Sequence, residues 1–506
     1  MLAWLSKTIS NQTDMATHAG TPRIAIVGSG FSGIGMAIQL RRMGIESFTI
    51  YEAAASLGGT WRDNAYPGAA CDVPSHLYSF SFEPNPDWTR TYAPQSEILA
   101  YLERCARKYD VERFITWRSR VSAARFDAAR GVWSIDVEGD GVTQTVEADL
   151  LIAANGPLSR PALPAIEGLE RFAGKLFHSA RWDHDYALEG KRVAVIGTGA
   201  SAIQFVPRIQ PRVTQLTVFQ RTPPWIMPRR DRAIEARRRW MYRHIPFAQR
   251  LARAAIYWQL ESRALGFVVD QRLLAAPMKF ARNYLAHKVK DAALRAKLAP
   301  DYALGCKRVL LSSDYLPALT QPNVALLTDP IREVVTDGIV TADGLHHAFD
   351  AIVCGTGFQV NDVEAPFRVS GLNGADLGEA WRRDGPEAYL GTSVAGFPNL
   401  FFVIGPNTGL GHNSMIYMIE SQIRYIAACI RELQRRGART MSVRPAVQRA
   451  FNDRLQAQLQ RTVWTSGCHS YYQTRSGKVT SLWPGFTFTF RRKTRRVRAG
   501  DYEFGR

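Results

Sequence analysis

Two glycine turns in this chain can each hold a diphosphate. The first is Gly28-Ser29-Gly30-Phe31-Ser32-Gly33 and the second is Gly197-Thr198-Gly199-Ala200-Ser201-Ala202. In such a turn the first glycine bends the chain tightly and the second lets backbone approach a pyrophosphate. A small third residue brings helix and strand together. A helix that starts there aims unpaired N–H groups and its positive dipole end at the anion. The residues beyond the two turns differ in charge, and therefore in what they accept. Glu52 closes the apolar run about 20 residues beyond Gly33, where a carboxylate accepts from ribose hydroxyls. Gln220, Arg221 and Thr222 stand at the matching place of the second unit. A carboxylate there repels a 2′-phosphate, whereas a guanidinium pairs with it. The two turns therefore predict two dinucleotides, the second being NADP with Arg221 on its 2′-phosphate and Thr222 alongside.

Turns of this kind work only inside βαβ units. Ile24–Val27 is an apolar run of buried-strand type, Ile34–Met43 has helical spacing, and a second apolar run leads to Glu52. The same order recurs from Lys191 to Phe219. Strand patterns return at Val324–Leu327, Ala351–Cys354 and Leu400–Ile404, and a long helix is expected from about Ser414 to Arg436. This alternation predicts an α/β fold with two Rossmann-like dinucleotide-binding domains. From Arg229 to about Ala303 the pattern is helical, broken at Pro246, and reads as an insertion. The expected division is a flexible leader at 1–20, a discontinuous first domain at 21–156 and 385–506, a second domain at 157–228 and 304–384, and the helical insertion at 229–303.

Hydrophobic content of 46% with 22% charge places the chain among globular proteins, not among disordered or membrane-spanning ones. Its six cysteines are scattered, without C-x-x-C or any metal-ligand spacing, and read as reduced thiols of a cytoplasmic protein with no metal. The net charge of +19 is concentrated in Arg229–Arg253 and in the tail Arg491–Arg498. No nucleic-acid recognition motif accompanies it, so nucleic acid is not expected as a partner. In the first basic stretch arginines alternate with Trp240, Phe247 and Trp258. The expected arrangement is an amphipathic cap packed on the second dinucleotide domain. Peripheral attachment to an anionic membrane surface is the alternative.

Between the two units lie Phe172, Gly174, His178, Trp182 and Asp183, spaced F-x-G-x-x-x-H-x-x-x-W-D. Upstream, Gly59, Trp61, Tyr66, Pro67, Gly68 and Asp72 follow G-x-W-x-x-x-x-[FY]-P-G-x-x-x-D, and downstream Lys307-Arg308 sits in GCKRVLLSSDYL. Together these motifs resemble type I Baeyer–Villiger monooxygenases, and the resemblance runs from about Arg23 to Arg492. Flavin-containing monooxygenases that oxygenate nitrogen or sulfur usually end the shorter motif in Phe or Tyr, where this chain has Trp182.

The resemblance implies FAD in the first domain and NADPH in the second. NADPH would reduce FAD, and a C4a-peroxyflavin formed with O2 would convert a lipophilic ketone to an ester or lactone, with sulfide oxidation as a side activity. Arg308 would be the fixed cation for charge developing on oxygen. Asp72 would orient it, Lys307 would join Arg221 at the 2′-phosphate, and Trp61 would line the flavin site. His178 and Trp182 are implied as hinge residues: His178 bonds backbone, Trp182 packs, and neither moves a proton. The alternatives are an N- or S-oxygenating flavin monooxygenase and a non-catalytic NADP-binding redox sensor, against which Arg308 with Asp72 argues. Two departures bear on substrate. Tyr471 stands where the family's C-x-S-W-Y loop has tryptophan, and Ala70 stands where many relatives carry arginine. The kind of ketone and the oligomeric state stay open.

Overall fold

The computed structural model of the protein describes residues 21–360 and 367–506. The expected leader at 1–20 lies outside these. Two parallel five-stranded sheets carry the molecule. In the first, the order is Leu400–Phe402, Leu150–Ala153, Ile24–Val27, Phe48–Tyr51 and Ile115–Thr116. Three of these strands are buried along their whole length, as parallel strands covered on both faces must be. Alternate side chains explain the two layers. Ile24 and Ile26 join a core with the helices Phe31–Arg42 and Met415–Arg436, while Ala25 and Val27 face Trp133 and Ile135 of an antiparallel sheet. The antiparallel strands of that sheet are Arg120–Asp127, Val132–Gly139 and Val142–Ala148, and Arg368–Ser370 adds a parallel edge strand. The long helix begins at Ser414, whose hydroxyl accepts from the Ile416 N–H at 3.3 Å, and stops at Gly437 in the left-handed region.

The second sheet runs Val324–Leu327, Gln215–Phe219, Arg192–Ile196, Ala351–Cys354 and Lys175–His178, again all parallel. In both sheets the glycine turn follows a strand with parallel neighbours on either side, at the carboxyl edge where dinucleotides bind. The two-Rossmann α/β architecture expected from the glycine turns is therefore the one found.

The insertion folds as helices Ala236–His244, Ala248–Glu261, Ala275–Lys288 and Ala292–Lys297, with Pro246 in the first break. It does not sit on the second domain alone. Leu260, Phe267 and Leu274 join the core of the first sheet, while Leu285, Val289 and Leu298 join that of the second. A buried carboxylate fastens it to the first: Glu261 accepts from Thr487 N–H at 2.5 Å, Thr487 hydroxyl at 2.8 Å and Asn413 Nδ2 at 2.5 Å. Two arginines of the basic stretch also turn inward. Arg253 donates to His76 O at 2.7 Å and Ser79 Oγ at 3.1 Å, and Arg229 donates to Tyr92 O at 3.3 Å and Cys71 O at 3.4 Å. Among the described residues no helix is long and apolar enough to cross a membrane.

Candidate active site

The first glycine turn is shaped to leave backbone bare. A Cβ on Gly33 would lie 1.9 Å from Gly28 O, so only glycine lets the helix sit directly on the turn. Gly30 caps the helix Phe31–Arg42 without a side chain, and the only neighbour its Cβ would meet is Gly59 Cα at 3.8 Å. The first-turn N–H groups and the positive helix end are thus left for an anion. Glu52 is buried, 5% exposed, and already held in place. Ser29 donates to one oxygen through N–H (2.9 Å) and hydroxyl (2.6 Å), while Ala54 N–H (2.9 Å) and Arg62 Nη1 (3.0 Å) hold the other. Ribose hydroxyls would share an oriented carboxylate. The turn opens into a cleft of ≈ 700 Å³ whose walls include Trp61, Tyr78, Arg308, Tyr471 and Tyr472. Trp61 is fixed by its indole N–H on Tyr78 hydroxyl at 3.1 Å. Bare backbone donors, a buried ribose acceptor and aromatic walls together fit a flavin dinucleotide.

Arg308 reaches this cleft from the far side of the chain. Its Nη2 and Nε both donate to one oxygen of Asp72, at 2.5 and 3.1 Å, across 236 residues. The Asp72 charge lifts the Arg308 guanidinium well above its ordinary value, overriding the cost of burial. Burial works to raise the Asp72 carboxyl, but the adjacent Arg308 overrides it and holds the group below the usual range, with Arg229 adding to the effect. The ion pair therefore stays charged at any working pH. Tyr471 and Tyr472 lie close enough to act on the Arg308 charge.

In the second turn Gly197 has φ +106, and a Cβ there would lie 2.5 Å from Gly355 O, the exit of the neighbouring strand. Ala202, wholly buried, fills the third small position, and Gly199 meets nothing closer than Gly355 O at 4.0 Å. Arg221 is exposed at the end of its strand, and Lys307 comes near enough for the two cations to repel. Burial is the larger cause that lowers the Lys307 ammonium, with Arg221 second. Two cations at one strand end, one of them depressed, gain from a shared phosphate. The Thr222 carbonyl accepts from Thr198 hydroxyl at 3.3 Å, which ties the strand end to the glycine turn.

The F-x-G-x-x-x-H-x-x-x-W-D segment forms the edge strand of the second sheet and the turn after it. Phe172 joins a satellite core there, and a Cβ on Gly174 would collide with the Phe172 ring at 2.6 Å and Asp350 O at 2.7 Å. His178 is buried and accepts from Ala180 N–H at 3.1 Å through Nδ1. Burial lowers its pKa, leaving a neutral ring that holds backbone. Trp182 packs on Phe177 and Phe205, ring centroids 5.1 and 5.3 Å away, and Asp183 pairs with Lys175 at 2.5 Å. Ala180 and Arg181 between them reach the cleft wall. The motif's own side chains build a frame, and the residues between His178 and Trp182 meet the cleft.

Spacing alone gave no sign of several residues. Gln204, on the helix Ala202–Ile209, accepts from Tyr66 hydroxyl at 3.0 Å and Ala70 N–H at 3.3 Å and donates to Ala70 O at 3.0 Å. It ties the second nucleotide helix to the loop that carries Asp72. Arg229 reads in sequence as one of a basic run, yet it faces the Cys71–Asp72 segment. One expectation is overturned. Of the six cysteines read as reduced thiols, Cys306 and Cys468 form a disulfide with Cα atoms 6.2 Å apart across 162 residues. Cys71, Cys105, Cys354 and Cys429 are buried and free. No spacing rule reports a contact made by two loops so far apart in the chain.

Known proteins agree with this geometry. The family of flavin-binding monooxygenase-like proteins matches residues 21–261. A Baeyer–Villiger monooxygenase of Pseudomonas aeruginosa is 49% identical over 483 residues, covering 95% of this chain and 91% of that protein. Another of Streptomyces coelicolor is 50% identical over 483 residues, covering 95% and 92%. Among solved structures, an oxidised steroid monooxygenase bound to NADP superposes with a TM-score of 0.84 at 30% identity, covering 96% of this chain and all of that one. With two nucleotide turns and, in the cleft, Arg308 held by Asp72, the chain belongs to the type I Baeyer–Villiger monooxygenases, flavoprotein oxidoreductases that work with FAD and NADPH.

Proposed function

We propose that this enzyme converts a lipophilic ketone to an ester or lactone, with Arg308 as the catalytic cation and Asp72 as its orienting partner. FAD, when bound, supplies the hydride acceptor and the activation of O2. The protein's part is positional and electrostatic. Gly28, Gly30 and Gly33 would hold the flavin diphosphate, Glu52 its ribose, and Trp61 the cleft wall. Gly197, Gly199 and Ala202 would hold the NADPH diphosphate, with Arg221, Lys307 and Thr222 at the 2′-phosphate. Arg308 stays protonated throughout and presents a rigid fork, so it can stabilise negative charge on oxygen without reorganising. Asp72 occupies two of its five donors and thereby fixes the plane of the others. The Asp72–Arg308 pair at the cleft wall is the observation that carries this reading. Incubating the holoenzyme with NADPH, 18O2 and a panel of cyclic, aryl and linear ketones tests it by mass spectrometry. One 18O in an ester or lactone supports it, whereas oxygenation of sulfides and amines alone replaces it with N- or S-oxygenation.

The domain division proposed is 21–156 with 385–506 for FAD, 157–228 with 304–384 for NADPH, and 229–303 as the helical insertion. We further propose a cytoplasmic enzyme that touches an anionic membrane surface through that insertion. Trp240, Phe247, Leu251, Trp258, Val269 and Leu273 are each more than half exposed, although they lie within one short region. The same insertion holds 17 Lys and Arg against 6 Asp and Glu. An amphipathic cap would turn those apolar groups inward, whereas a lipid-facing surface turns them out among cations.

A further inference from the structure

We propose that Cys306 and Cys468 are a redox-active pair, oxidised by hydroperoxide, that fastens the Tyr471–Tyr472 loop to the Arg308 segment. The pair joins two segments that both contribute side chains to the active cleft. Cys306 lies two residues before Arg308, and Cys468 lies three before Tyr471. Arg308, Tyr471 and Tyr472 all line the cleft. Each cysteine sits in a differently supported turn. Gly305 packs so closely on Phe267 that a Cβ would lie 2.5 Å from the ring, which seats Cys306 firmly against the helical insertion. Cys468 packs at the margin of the first core, and the hydrogen bonds of its own turn are local. Ser466 bonds back to Val463, the Ser470 hydroxyl accepts from Tyr472 N–H, and Gly467 at φ +100 has open space around its Cα. A covalent tie therefore matters most to the second turn, and through it to the two tyrosines. Among the described residues the other four cysteines form no disulfide, and burial raises Cys105 and Cys354 to about 11, far from the reactive thiolate.

The chemistry balances with an oxidant that an oxygen-activating flavoprotein can release itself. When no substrate takes the oxygen, NADPH, a proton and O2 yield NADP+ and hydrogen peroxide. A cysteine thiolate attacks the peroxide O–O bond, giving a sulfenic acid and hydroxide, which is protonated to water. The partner thiol then displaces the sulfenic hydroxyl as a second water, forming the S–S bond. Cys468, 8% exposed against 0% for Cys306, is the thiol that meets peroxide first. Thiol–disulfide exchange with a cellular dithiol reverses the step. The oxidised pair holds the tyrosine loop against the Arg308 segment and slows further loss of NADPH to peroxide; the reduced pair releases it.

This rests on the assignment of Arg308 to the reaction, but the linkage itself reads out independently. Holoenzyme is treated with hydrogen peroxide or with a phosphine reductant, alkylated and mapped by mass spectrometry. A linked Cys306–Cys468 peptide after peroxide and two alkylated thiols after reduction are expected. In parallel, NADPH-driven peroxide release without ketone is measured per bound flavin. It should rise at least threefold on reduction, and Cys306→Ser, Cys468→Ser and the double variant should show the fast rate and no response to either treatment. Absence of the linked peptide under both conditions overturns the proposal. So does a rate that is unchanged by reduction, or that shifts equally in wild type and the double variant. Should Cys306→Ser lose flavin, Cys468→Ser alone carries the comparison, since its turn is the less constrained. An Arg308→Ala enzyme that still makes ester, with the linkage intact, would sink the reaction assignment and not the redox pair.

Discussion

At Arg308 the physical demand is a charge that neither titrates nor moves. Both halves of that demand come from Asp72, which lifts the guanidinium and fixes its plane through two bonds to one oxygen. Replacing Arg308 with Ala should leave flavin absorbance unchanged and lower ester formation by about 10²–10³-fold, the usual cost of removing a preorganised oxyanion donor. Undiminished turnover would remove Arg308 from the mechanism. The pH behaviour follows from Asp72. Its folded pKa is depressed, so the pair contributes stability that is present above the unfolded value near 4 and lost as pH falls through the folded one. Wild type should therefore keep its flavin and its melting temperature down to about pH 4, whereas Asp72→Asn should be less stable at neutral pH and flatter below it. A variant with the acid profile of wild type would show that Asp72 is not the group titrating. At the second turn, Arg221→Ala should raise KM for NADPH about tenfold, roughly 1.4 kcal/mol, with little change for NADH. An equal effect on both would place Arg221 away from the 2′-phosphate.

Elements translate these residues into geometry. The helix Ala202–Ile209 begins at one nucleotide turn and, through Gln204, grips the loop that leads to Asp72. The second nucleotide turn and the loop that carries Asp72 are therefore one mechanical unit. Gln204→Leu leaves Ala70 N–H and C=O without those partners, a cost of about 1–3 kcal/mol. Chemical denaturation should register it, together with a several-fold fall in the rate of flavin reduction by NADPH. If the melting point falls but reduction is unchanged, the grip serves stability alone. The positions of the two glycine turns were legible in the sequence because a bare backbone at a strand end tolerates few residue types. Gln204 was not legible, since a glutamine on a helix face reads the same whether it meets solvent or another loop.

For the whole molecule the question is what the outward-facing insertion meets. Its fastening by Glu261 and its contribution to both cores make it a fixed part of the structure, so its exposed aromatics are presented by a rigid support. Flotation with vesicles containing phosphatidylglycerol at physiological salt should carry the enzyme upward, and vesicles of phosphatidylcholine alone should carry far less. Trp258→Glu combined with Phe247→Glu should abolish flotation with ester formation intact. An enzyme that stays wholly in the dense fraction with either lipid ends the membrane proposal. Fold class, cofactor number and the charge preference of the second site were all legible in the chain, because each follows from backbone needs within a single βαβ unit. Resemblance then supplied roles for Arg308 and Asp72. Only the folded chain could bring those two together across 236 residues, pair Cys306 with Cys468, turn Arg229 inward and leave Trp258 facing out. Each of these depends on how separate units pack together, and local pattern carries no record of that.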